Sequence, residues 1–157
     1  MYELAIDVLS KSGKRIFINS DDPTYILVDG QFVLKKLEQK IIRVAIVKDT
    51  MIVLTDHQDL HRQLSYSMQP IHQKGNVFAM DTDGTLLWNI EEIVGPFRCA
   101  FSIAYVVSEK GRAQEEQTYK VRLEKDHDYL VCADRLDWHY LIDLTEKRLV
   151  ENAIFKC

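Results

Sequence analysis

Cysteine is scarce in this chain. Cys99, Cys132 and Cys157 stand far apart, odd in number, with no Cys-x-x-Cys pair among them. That pattern excludes a disulfide framework and a thiolate zinc site, and it is the usage of a reduced, cytoplasmic protein. Basic charge is not in excess either: 20 Lys and Arg face 24 Asp and Glu, a net charge of −4. No general positive field is left to attract nucleic acid or an anionic membrane. Long apolar runs are missing. The stretch from Cys99 to Val107 is interrupted by Ser102 and falls far short of the roughly 20 residues that cross a bilayer. The opening Met1-Tyr2-Glu3-Leu4-Ala5-Ile6-Asp7 carries acids where a signal peptide has its basic region. P-loop, dinucleotide and Gly-x-Ser-x-Gly fingerprints are absent from the sequence.

What is there is ordinary globular material: 157 residues, 46% hydrophobic and 28% charged, enough for one sizeable core. Neither a low-complexity tract nor a linker divides it, so the expectation is a single domain over 1–157. Most apolar residues fall in runs of four to seven between Gly, Asp, Asn or Lys, the pattern of strands and turns. Tyr2 to Leu9 and Arg15 to Ile18 flank Ser12-Gly13; Tyr25 to Val28 and Gln31 to Leu34 flank Asp29-Gly30, a strong hairpin signal. Ile41 to Val47 and Met51 to Thr55 flank Lys48-Asp49-Thr50, and Val77 to Met80 and Thr85 to Ile90 flank Thr82-Asp83-Gly84. Cys99 to Val107, Tyr119 to Leu123, Tyr129 to Ala133, His139 to Asp143 and Arg148 to Phe155 complete about ten strands.

Two stretches depart from that pattern. Gln31 to Lys40 also fits a helix, through Val33, Leu37 and Ile41. Asp56 to Met68 is the better helix: Asp56 caps, Leu60, Leu64 and Met68 form a stripe, and Pro70 stops it. Ser108 to Gln117 reads as an exposed loop. The predicted fold class is therefore all-β, mainly antiparallel meander, as two packed sheets or partial propeller-like blades, with one short helix.

A weak repeat runs through this. Val77-Phe78-Ala79-Met80-Asp81 leads through a turn to Leu86-Leu87-Trp88, and His139-Tyr140-Leu141-Ile142-Asp143 leads through a turn to Leu149-Val150. This resembles the blades of quinoprotein-type β-propellers, with Lys147 where Gly is expected and Glu151 where Trp is expected. Two such units do not close a propeller and would pack as curved sheets.

The sharpest motif is Phe78-Ala79-Met80-Asp81-Thr82-Asp83-Gly84-Thr85-Leu86, which resembles the first motif of haloacid dehalogenase-type phosphohydrolases. That resemblance implies Asp81 as the nucleophile on phosphorus and Asp83 as the general acid, beside Mg²⁺. The family's parallel α/β core needs helices between strands, and the strands after this motif follow one another directly. A tight hairpin explains the same residues, with the acids shaping the turn and Gly84 supplying positive φ. A calcium loop fails, because Gly84 at the sixth position puts Ala79 at the first and Ile90 at the twelfth.

Among the remaining candidates, His57 and His61 share a helical face as zinc ligands do, with His72 or Asp59 as further donors. Two solvated histidines beside a cap is the simpler account, so neither metal nor cofactor is expected. His127 and His139 fit no catalytic arrangement by spacing. Trp88, Phe78 and Tyr140 read as core, and Trp138, at a turn beside Asp137, as a candidate contact residue.

Asn76-Val77-Phe78-Ala79, the Asp-x-Asp-Gly turn, Leu87-Trp88-Asn89-Ile90 and the closing Trp138-His139-Tyr140-Leu141-Ile142-Asp143 together resemble small bacterial immunity-type proteins. The resemblance implies neutralisation, by binding, of a toxin of the contact-dependent or polymorphic class, with no catalytic residue, no direct contact with nucleic acid and no membrane. The partner is then a protein toxin such as a nuclease. Loops carry recognition in such scaffolds. The expected partner-binding residues are Asp56, His57, Asp59 and His61 in one insertion, Glu115 and Glu116 in a second loop, and Asp134, Asp137 and Trp138 at a turn.

Overall fold

A computed structural model describes residues 6–34, 37, 39–56, 75–95, 101–134 and 137–154. Of these, 51% lie in strands, about twice the share in an average globular protein. Twelve strands form three four-stranded antiparallel sheets, each a simple meander in chain order. The all-β reading holds, with three sheets where the repeat suggested two. The helix expected over 56–68 lies outside the described residues. The described residues gather into two compact units, one up to Asp56 together with Gly75–Asn89, the other from Ile90 onward.

The first unit holds two sheets. β1 (Ile6–Leu9), β2 (Arg15–Ile18), β3 (Ile26–Val28) and β4 (Gln31–Leu34) form one. β5 (Ile41–Val47), β6 (Thr50–Thr55), β7 (Val77–Asp81) and β8 (Leu86–Asn89) form the other. In β2 the alternation Arg15-Ile16-Phe17-Ile18 points both isoleucines inward. The turn from β3 to β4 uses Asp29 at φ 50° and Gly30 at φ 80°, the positive pair that a two-residue hairpin requires. Because Gln31–Leu34 continues that hairpin, the helical alternative for this stretch is lost. Ile16, Ile18, Ile26 and Val28 pack with Ile41, Met51, Val53 and Met80 into one core. Each such side chain stabilises by about 1.5–3 kcal/mol on burial. At one end of the unit the turns are tied: Asp49 Oδ1 accepts from Ser12 N at 2.9 Å and from Ser12 Oγ at 2.8 Å. Those bonds, the backbone one first, hold the Asp49 carboxyl below its usual range.

The second unit is built on β9 (Phe101–Val106), β10 (Tyr129–Asp134), β11 (Trp138–Asp143) and β12 (Arg148–Ile154). A single helical turn, α1 (Glu91–Val94), precedes them. Between β9 and β10 the chain is not a loop: a 3₁₀ turn (Glu109–Gly111) runs into α2 (Arg112–Tyr119). Ser108 caps it, its Oγ accepting from Gly111 N at 3.1 Å, and Lys120 ends it in the left-handed conformation. The strand expected over Tyr119 to Leu123 is absent. Tyr119 closes α2, and an irregular segment follows that buries Leu123. Both side chains join Val107, Tyr129, Val131 and Leu141 in the core of this unit.

The sequence repeat maps onto matching strands, β6–β7–β8 and β10–β11–β12. Each pair after the first carries a register shift near its turn, at Ala79/Met80 and at Leu141/Ile142. Lys147, in the glycine's place, adopts φ 55°. A left-handed residue is therefore required in both turns, and lysine holds it against a steric cost of roughly 1–2 kcal/mol.

Candidate functional site

The turn between β7 and β8 places the phosphohydrolase-like motif. Asp81 Oδ1 accepts from the backbone N–H of Asp83 and of Thr85, each at 2.9 Å. Asp81 N donates to Thr85 O at 3.0 Å and Gly84 N to Asp81 O at 3.1 Å. The aspartate thus folds its own turn in the manner of an Asx-turn. Asp83 is 78% exposed and lies 3.7 Å from Lys14. The phosphohydrolases that the motif resembles carry it on a parallel α/β frame, whereas every described pairing around this motif is antiparallel. Gly84, at φ 91°, carries a second duty. A Cβ there would stand 2.8 Å from the carbonyl oxygen of Val33 on β4, so the missing side chain lets the two sheets approach.

Asparagines anchor the start of β7. Asn89 accepts from Gly75 N at 2.8 Å and donates to Gly75 O at 2.9 Å, while Asn76 Nδ2 donates to Thr55 O at 2.9 Å. Beside them lies a largely apolar recess of about 390 Å³ lined by Leu34, Phe78, Met80, Leu86 and Asn89. Since Asn89 is engaged with Gly75, its side chain does not orient a guest there.

The residues expected to meet a partner take varied roles. His57, Asp59 and His61 lie outside the described residues; Asp56 is half-buried, its backbone N–H bonded to Lys40 O at 2.9 Å. Glu115 and Glu116 sit on α2 rather than on a loop, and both are half-buried. Glu115 Oε1 accepts from Tyr105 Oη at 2.8 Å, and Glu116 Oε2 accepts from Leu123 N at 3.1 Å. Burial, with Glu115 alongside, pushes the Tyr105 phenol well above its usual value. Asp134 is buried and shapes the β10–β11 turn, its Oδ1 accepting from Trp138 N at 3.1 Å. Asp137 is exposed at φ 62°, and Trp138 is half-buried at the start of β11.

Two features escaped the sequence reading. The first is an apolar row on the outer face of the first sheet. Register pairs Asp7 with Phe17, Phe17 with Leu27, and Leu27 with Phe32, all on the face opposite Ile16, Ile18 and Ile26. Phe17 is 39% exposed, Phe32 61%, and Leu9, on the same face, 66%. Tyr25 stands against Phe32 with ring centroids 5.4 Å apart. At the edge of the row, Arg15 grips Asp7 through two bonds of 2.6 and 2.5 Å, and that grip lowers the Asp7 carboxyl below its usual range. The alternation in Arg15–Ile18 was the available signal for Phe17. The second is His127, whose Nδ1 lies 2.7 Å from Oδ2 of the fully buried Asp143. They are 16 residues apart, and no spacing rule joins them. The bond to Asp143 raises the His127 value above 6.5.

No protein-family model matches this sequence, and no curated protein matches it.

Proposed function

We propose that this chain acts by binding rather than by catalysis, as an immunity-type protein that neutralises a bacterial toxin by covering its working surface. The observation that carries the binding reading is the Leu9, Phe17, Leu27 and Phe32 face of the first sheet. Large aromatic and aliphatic side chains aligned on an exposed sheet face mark surfaces that bury themselves against another protein. The phosphohydrolase alternative has less support, because Asp81 spends an oxygen on its own turn and Asp83 faces solvent. The toxin identity rests on the sequence resemblance. Exposed acids such as Asp137 suit it, since they speed encounter with the basic cleft of a nuclease.

The test is calorimetric titration of the protein encoded immediately upstream into this chain and into its Phe17→Ser/Phe32→Ser variant. Tight binding is expected for the unmodified chain. The variant, still folded by circular dichroism, loses about a hundredfold in affinity, the loss that removal of two aromatic anchors brings. Equal affinity of the two proteins, or no binding by either, contradicts the proposal.

A further inference from the structure

We propose that the His127–Asp143 pair is a pH-operated clasp that fixes the connection between α2 and β10, and through it α2 itself, against the β11–β12 turn. Asp143 is fully buried at the end of β11. Its Oδ1 accepts from Glu146 N at 2.9 Å and its Oδ2 meets His127 Nδ1 at 2.7 Å. A buried carboxyl group is tolerated only when its oxygens are partnered, and His127 Nδ1 is the group that meets its Oδ2. The connection is tied on both sides of this pair. Towards the turn, Asp128 N donates to Thr145 Oγ1 at 3.0 Å and Leu144 N to Asp128 O at 2.8 Å. Towards α2, Arg112 donates to the carbonyl oxygens of His127 and Glu124, while Leu123 N and Val121 N donate to Glu116. What holds His127 therefore also holds the backbone that meets α2.

The charges around the imidazole favour its proton. β11 supplies Asp143, the turn supplies Glu146 with Oε1 at 3.9 Å from Nε2, and the connection supplies Glu124. β10 contributes the Tyr129 ring, stacked at 6.5 Å, α2 contributes Arg112, and β12 places Arg148 in register opposite Asp143. Arg112 is engaged with the carbonyl oxygens and with the face of Tyr129 at 5.4 Å. A histidine raised in this way lends stability that is complete below its unfolded value of 6.5 and is lost as pH climbs through its higher folded value. The clasp is thus closed at mildly acid pH and loosens on the alkaline side. Loosening releases Glu116 from Leu123 and frees the acidic face of α2.

The test is an NMR titration of the intact chain between pH 5.5 and 9, with amide exchange measured at the same points. His127 is expected to titrate above 6.5. The amides of Leu123, Asp128, Leu144 and Glu146 then lose protection through that midpoint, after correction for base-catalysed exchange. The loss is about tenfold for each pH unit by which His127 is displaced. Met51 and Val53, in the core of the first unit, serve as references that do not change. His127→Gln abolishes the pH dependence; if that variant does not fold, the unmodified chain decides alone. A His127 midpoint at or below 6.5, or flat protection at those four amides, overturns the proposal.

Discussion

Replacing Gly84 by alanine is expected to destabilise the first unit by about 2–6 kcal/mol. Two costs combine. At φ 91° a side chain pays the strain of a conformation that L-residues avoid, of order 1–3 kcal/mol. In addition the new Cβ meets the backbone oxygen of Val33 at 2.8 Å, and a strand carbonyl has no rotamer by which to withdraw. Overpacking of that kind costs a further 1–3 kcal/mol or so. Gly13→Ala is the control, because Gly13 also has positive φ, at 86°, but nothing within 4 Å of its Cβ position. Urea unfolding of both variants separates strain from contact: Gly13→Ala shows the first cost alone. Equal destabilisation of the two would remove the packing role assigned to Gly84.

Asn89→Leu is the second large effect, about 2–6 kcal/mol. The side chain is buried and satisfies both the N–H and the carbonyl of Gly75, much as a neighbouring strand would. Leucine keeps the number and branching of the side-chain heavy atoms while removing both polar groups, so the loss reports chiefly the polar role. Each orphaned backbone group costs about 1–3 kcal/mol when buried without water. Exchange at Gly75 N–H is expected to be slow in the unmodified chain and fast in the variant. A loss below about 1 kcal/mol would mean that the Gly75 groups find other partners and that Asn89 does not anchor β7.

The strands were legible because their chemistry is local. Arg15–Ile18 alternates, Met51–Leu54 is a continuous apolar run buried on both sides, and Asp29-Gly30 admits few conformations besides the hairpin. α2 was not legible for the converse reason. Its sequence, Arg112–Tyr119, has no apolar stripe and buries only Tyr119. It is held by Glu115 on Tyr105, Glu116 on Leu123 and Arg112 on the carbonyls of Glu124 and His127, bonds to segments that no periodicity announces. Tyr119, Val121 and Leu123 alternate as a strand would, but Lys120 turns left-handed among them and the pairing is lost. The Asp-x-Asp-Gly segment carries its turn in its own residues; the neighbour that demands its glycine, Val33, lies some fifty residues away in sequence, where no local pattern points to it. The same holds for Asp143. The sequence marked it as the end of a blade-like strand, and only the fold brings His127 to it.

The proposed role is to occupy a partner and not to carry out chemistry. The direct measurement takes the product of the gene immediately upstream as the candidate toxin and follows its activity as purified chain is added, in the presence and absence of Mg²⁺. A binding role gives inhibition that saturates at a fixed stoichiometry of chain to toxin, indifferent to Mg²⁺ and retained by folded Asp81→Asn, whose turn is weakened but whose apolar face is intact. Inhibition by a small fraction of an equivalent, growing with time, requiring Mg²⁺ and abolished in Asp81→Asn, would contradict it and assign the motif to catalysis.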